Sequence, residues 1–75
     1  MMRQVDINIE PVELYKILKF EGMVHSGGAA KQVIEEGLVS ANGAIELRKR
    51  KKIVDGDEIS YADDTIRIRY KPAQA

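Results

Sequence analysis

The chain contains no cysteine and no tryptophan, only two prolines, and a single histidine, His25. Without cysteine there is no disulfide, no thiol nucleophile and no thiolate metal site, and that usage fits a reducing compartment. One histidine, with no cysteine and no acidic partner fixed beside it in sequence, supports neither a zinc site nor a catalytic triad. Aromatic residues are also scarce. Tyr15, Phe20, Tyr61 and Tyr70 make up 5% of the chain and none lies in its densest cationic stretch, which argues against a platform for stacking single-stranded bases. No apolar run approaches the roughly 18 residues that a bilayer-spanning helix needs. The opening Met1-Met2-Arg3-Gln4 carries no signal-peptide pattern. The expectation is a cytoplasmic protein with no membrane partner and no cofactor.

An excess of charge is missing too: twelve basic residues balance twelve acidic ones. The distribution is another matter. Five of the twelve basic residues are consecutive, Arg48-Lys49-Arg50-Lys51-Lys52, which leaves seven basic against twelve acidic elsewhere and makes the chain an electrostatic dipole. Adjacent cations repel one another and gain from a polyanion, so this run reads either as an ordinary solvated loop or as charge presented to phosphate.

With 75 residues, 44% hydrophobic and 32% charged, the composition is that of one folded domain over residues 1–75 with a single core. A chain of this size buries only about 60% of its unfolded surface. Val5, Ile7 and Ile9 alternate with Asp6 and Asn8 in the period of a half-buried strand. Pro11 then opens a helix over about 11–21, in which Leu14, Ile17 and Leu18 share one face and Gly22 marks the stop. Ser26 is a good N-cap for a second helix, with Ala30, Val33 and Ile34 on its apolar face and Gly37 beyond its end. Asn42-Gly43, flanked by 38–41 and 44–47, is a two-residue hairpin signal because both turn positions take positive φ. After the basic run, residues 53–61 read as a further strand with an Asp55-Gly56 turn. Ala62-Asp63-Asp64 turns again, Ile66, Ile68 and Tyr70 alternate in a last strand, and the tail 72–75 is expected to fray. The fold class is α+β, two short helices packed on a small, mostly antiparallel sheet.

Leu14, Leu18, Gly22, Ser26, Ala30, Val33-Ile34, Gly37, Val39, Asn42-Gly43, Val54, Gly56-Asp57 and Ile59 stand in the order and spacing of the S-four RNA-binding domain. The resemblance covers about residues 12–61. The stretch Glu46 to Val54 is most similar to the small stand-alone bacterial members of the YbcJ type, which consist of little besides this domain. The resemblance implies the alpha-L motif, in which the second helix and the following hairpin face RNA. It thereby implies an RNA-binding surface made of Ser26, Gly27, Gly28 and Lys31 together with Arg48, Lys49, Arg50, Lys51 and Lys52. Where the family commonly carries arginine after the serine and a cation in the first helical turn, this chain has Gly27 and Gly28, and Ala41 replaces the usual valine.

Two readings of Gly27-Gly28 stand side by side. They let the interhelical loop turn, or they leave amides uncovered at the positive end of a helix, where a phosphate oxygen can approach with Lys31 one turn on. The stretch 22–28 lacks the Gly-Lys-Ser/Thr ending of a nucleotide-binding loop, and the acidic residues of 55–64 lack calcium-loop spacing and fit turn chemistry. No nucleophile, base or metal cluster supports catalysis. The expected function is that of a non-catalytic, monomeric, ribosome-associated module docking a helix start and a basic hairpin on the backbone of structured RNA, ribosomal or transfer RNA being the expected class. The alternative is an adapter for an acidic protein partner, RNA binding being weakened or lost with the missing arginine.

Overall fold

The computed structural model describes residues 2–73. The alternating N-terminal segment forms strand β1, Met2–Ile7, with Val5 buried and Ile7 half-buried. Ile9, expected on the same buried face, lies beyond the strand's end and is exposed. Residues Val12–Glu13 form a short strand β2, and helix α1 follows over Leu14–Phe20. The helix therefore starts three residues after Pro11. The reason is tertiary: Val12 and Glu13 pair antiparallel with Ile53 and Lys52 of strand β5, Lys52–Ile53, which keeps them extended.

Helix α2, Gly27–Glu35, is opened by Ser26, whose extended backbone (φ −157°, ψ 161°) lets its hydroxyl oxygen accept the Ala29 amide at 3.0 Å. The apolar stripes place Leu14, Ile17 and Leu18 of α1 and Ala30 and Ile34 of α2 in the core. Strands β3, Val39–Ala41, and β4, Ala44–Ile45, are joined through Asn42 and Gly43, with φ of 54° and 84°. These are the two positive values of a type I′ hairpin, which Asn-Gly tolerates and most pairs do not. The Asn42 side chain also ties this turn to the next one, donating to Asp57 at 3.1 Å and accepting the Glu58 amide at 2.9 Å.

Strands β6, Glu58–Tyr61, and β7, Asp64–Tyr70, complete a five-stranded sheet in the order β1-β7-β6-β3-β4. Its pairings are antiparallel except that of β1 with β7, which is parallel, with Val5 opposite Ile68. The sheet is thus mixed and mostly antiparallel. Ile59, Ile66, Ile68 and Val39 from its inner face meet Leu14, Leu18 and Ile34 from the helices, each essentially free of solvent. One core on one side of the sheet leaves the far ends of the helices and the loops to carry function. Residues 72 and 73 have no regular structure; the rest of the expected frayed tail lies outside the described residues.

Candidate nucleic-acid interface

The five-cation run was expected on a hairpin. Arg48 to Lys51 lie in the connection between β4 and β5 and Lys52 opens β5, because β4 ends at Ile45 and the chain turns away to reach the start of α1. Arg48 to Lys51 form a tight turn closed by the Lys51 amide donating to the Arg48 carbonyl at 3.2 Å. The turn is fastened to the start of α1. No side chain caps that helix; instead the Leu14 amide donates to the Lys51 carbonyl at 2.9 Å and the Tyr15 amide to the Lys49 carbonyl at 3.1 Å. Two of the amides that a helix start leaves without partners are satisfied by the backbone of the basic run. Main-chain bonds hold the run in place and its side chains remain outside.

Those side chains are not bare. Arg48 donates to both carboxylate oxygens of Glu46, at 2.9 and 3.2 Å, and its amide donates to the same group at 3.0 Å. The Glu46 side chain is only 12% exposed, whereas that of Arg48 is 72% exposed. The Arg48 guanidinium holds the Glu46 carboxyl below the ordinary 4.5, with partial burial acting in the opposite direction. Lys51 lies 4.0 Å from Glu46, Arg50 3.7 Å from Glu13, and Lys49 is paired with Glu35 of α2. Lys52 is exposed and makes no ion pair among the described residues. The more exposed of these pairs, Lys49–Glu35 and Arg50–Glu13, contribute little and exchange readily for another anion. A shallow hollow of about 430 Å³ is lined by Arg48, Arg50, Lys51 and Lys52 alone.

The second expected segment lies beside the first. Ser26 is occupied as the N-cap, so its hydroxyl is a scaffold and not a free donor. Gly27 and Gly28 sit in the first turn of α2, and neither has the positive φ that would demand glycine. The loop between the helices instead uses Gly22, with φ of 70°, for its left-handed residue. The amides of Ala29 and Ala30 are taken by Ser26, while those of Gly27 and Gly28 have no partner among the described residues.

Tyr15 joins the two segments and was not singled out by the sequence. A Cβ at Gly27 would lie 3.9 Å from its ring, and the Lys31 ammonium stands 4.6 Å from the ring centroid. The Arg50 guanidinium stands 5.8 Å and the Lys16 ammonium 5.9 Å from the same centroid. The only signal in the sequence was position: Tyr15 adjoins Leu14 on the flank of the α1 stripe, which by itself reads as core. Glu13 and Glu35 were missed as well, since pairing across 37 residues (Glu13 with Arg50) or 14 (Glu35 with Lys49) has no local mark, and so was Glu46, whose bonds from Arg48 two residues on depend on how the turn closes. The seven cations around Tyr15 and the turn (Lys16, Lys31 and 48–52) exceed these three carboxylates by four. Among the described residues no cluster of side chains is arranged to hold a metal ion, and no helix is long and apolar enough to cross a membrane.

A helix pair whose second start lies against a loop fastened on the first, all on a mixed sheet, defines an S-four type of domain with the alpha-L arrangement. The family model described as S4 domain matches residues 5–69, more than the stretch 12–61 that carries the resemblance, and the chain belongs to that family. It is 47% identical over 57 residues to YbcJ of Escherichia coli strain K12 and equally to YbcJ of Shigella flexneri, an alignment covering 76% of this chain and 81% of each relative. The solution structure of Escherichia coli YbcJ superposes with a TM-score of 0.68 at 42% identity, over 88% of this chain and 85% of that one. That structure is described as revealing an alpha-L motif involved in RNA binding.

Proposed function

We propose that this protein is a non-catalytic RNA-binding module, one domain acting as a monomer in the cytoplasm, that grips the phosphate backbone of folded RNA with the start of α2 and the turn at 48–52. The observation that carries the reading is the convergence of those two segments. Lys31 and Arg50 are 19 residues apart in sequence, yet both stand within 6 Å of one ring centre, with the Gly27 and Gly28 amides, unpaired among the described residues, on the same helix start. Clustered ammonium and guanidinium groups with backbone amides at a positive helix end are suited to phosphate oxygens. Kinship with YbcJ and the alpha-L motif of its structure support the same reading. Ribosomal or transfer RNA is the class proposed, since both offer dense, folded backbone and this surface has few groups for reading bases.

The test is the salt dependence of binding to a folded RNA. An excess of four cations corresponds to about three to four phosphate contacts, so log K is expected to fall against log salt with a slope of roughly −3. Replacing Arg48, Arg50 and Lys52 together by Ala is expected to flatten that slope without unfolding the domain, because the turn is anchored by carbonyls, while the thermal unfolding midpoint falls modestly with loss of the Arg48–Glu46 pair. An unchanged slope in the triple variant would sink the proposal, and preferential capture of an acidic protein would favour the adapter.

A further inference from the structure

Tyr15 is half-buried, packs against the core and has cations from two other elements within 6 Å of its ring centre, Lys31 on α2 and Arg50 on the turn. We infer that Tyr15 is the positioning residue of the interface: its ring gathers Lys31 and Arg50 onto one phosphate-binding point without cancelling their charge. The inference rests on the proposed RNA-binding role and adds a determinant of affinity outside the two segments that define it.

The choice of partner by Lys31 is the first argument. Glu35 is one turn further along α2 at i+4, the spacing at which lysine and glutamate ordinarily pair on a helix surface. Here Glu35 is paired with Lys49 instead, and Lys31 stands over the Tyr15 ring at 4.6 Å from its centre. The second argument is Arg50, whose ion pair with Glu13 is long at 3.7 Å and whose side chain is 68% exposed, yet whose guanidinium lies 5.8 Å from the same centre. A carboxylate in the place of the ring would orient both cations equally well but would neutralise them. The aromatic quadrupole attracts a cation while leaving its full charge and its N–H groups available to an incoming anion.

The backbone separates this role from a merely structural one. The Tyr15 amide binds the Lys49 carbonyl whatever the side chain, so removing the ring leaves the turn attached to α1. Tyr15→Leu keeps apolar bulk against the core and removes the quadrupole; Tyr15→Phe keeps the ring and removes only the hydroxyl. Equilibrium binding of the full chain to a folded RNA hairpin at several potassium chloride concentrations is the measurement. Tyr15→Phe is expected to bind as wild type does. Tyr15→Leu is expected to bind about tenfold more weakly, the ring's hold on Lys31 and Arg50 being lost together with its contact to the neighbouring Lys16, and the magnitude of its salt slope to drop by about one. In a double-mutant cycle Lys31→Met, which keeps the aliphatic stem and removes the charge, is expected to make Tyr15→Leu nearly silent.

Proton spectra of the RNA-free protein give an independent readout: the Lys31 ε-methylene and Arg50 δ-methylene are expected upfield of their ordinary positions in wild type and Tyr15→Phe, and at ordinary positions in Tyr15→Leu. Ordinary positions in the wild type would overturn the inference whether or not Tyr15→Leu folds. Equal affinity and slope for Tyr15→Leu and wild type would overturn it too, as would Tyr15→Phe losing as much as Tyr15→Leu. If the wild type binds no folded RNA, the proposed function fails, and the methylene positions still decide whether Tyr15 holds the two cations.

Discussion

At the scale of single residues, Glu46 decides how the turn presents its charge. Its carboxylate receives the Arg48 amide and guanidinium and lies near Lys51, and it is the most enclosed acid of the interface. Its pKa is held below the ordinary 4.5 in the folded chain, so the stability it adds is present above that value and is lost as pH falls through the lower, folded-state pKa. Asp64, held down first by its hydrogen bond from Arg3, and Asp6, held down first by that from Gln4, act in the same direction below their ordinary 3.8. Urea unfolding between pH 7 and pH 3 is therefore expected to be flat at first and to weaken from about pH 4.5 downwards, and Glu46→Gln is expected to weaken less steeply over that range. A wild type as stable at pH 3 as at pH 7 would contradict the assignment. Glu35 offers a complementary change. Glu35→Gln releases Lys49 from its internal partner, and RNA affinity is expected to rise by about two- to threefold, measured at one fixed salt concentration. Neither glutamate was marked in the sequence, where Glu46 reads as a strand-end residue and Glu35 as an exposed helical one; their partners come from the way the turn closes.

At the scale of elements, local signals were legible wherever one element determined its own structure. Ser26, the stripe Ala30–Ile34 and Asn42-Gly43 gave the second helix and the hairpin with their observed geometry. The first helix and the first strand were read too long, at Pro11 and Ile9, because their ends are set by pairing with β5 and β7 rather than by composition. Gly27 and Gly28 stand in the first turn of α2 without positive φ, and the left-handed residue of the loop is Gly22. Their value as a phosphate contact is then open to a clean experiment. Gly28 is exposed, has ordinary φ, and a Cβ there would lie 4.0 Å from the Ser26 hydroxyl oxygen. Gly28→Asp adds a carboxylate at the positive end of α2 and is expected to raise stability by a few tenths of a kcal/mol or more. The same carboxylate repels phosphate, so RNA affinity is expected to fall. Thermal unfolding and binding measured on one preparation would show the opposed signs, and unaltered binding would remove the helix start from the interface.

At the scale of the whole molecule, a chain of zero formal charge presents its cations around Tyr15 and leaves the balancing acids mainly elsewhere. Such a dipole approaches a polyanion with one face. The interface has few amide or aromatic groups free to read base edges, so discrimination is expected by shape. Folded RNAs of unrelated sequence are expected to bind with similar affinity, and unstructured oligonucleotides of equal length clearly more weakly. A filter-binding panel at fixed salt checks this, and a strong preference for one short unpaired sequence over every hairpin would contradict it. The parallel pairing of β1 with β7, which no local pattern announced, is the part of the architecture least accessible from sequence, because it joins segments separated by nearly the whole chain.

The bonds from the Leu14 and Tyr15 amides to the carbonyls of Lys51 and Lys49 have a consequence for what can be rewritten. A helix cap made of main chain does not depend on which side chains the capping residues carry. Apart from Arg48, whose guanidinium answers the enclosed Glu46 carboxylate, the lettering of the run is thus only loosely coupled to folding, and the turn behaves as an interchangeable cartridge: neutral or aromatic residues at 49, 50 and 52 are compatible with the same scaffold, so the ligand class of this fold can change at little cost in stability.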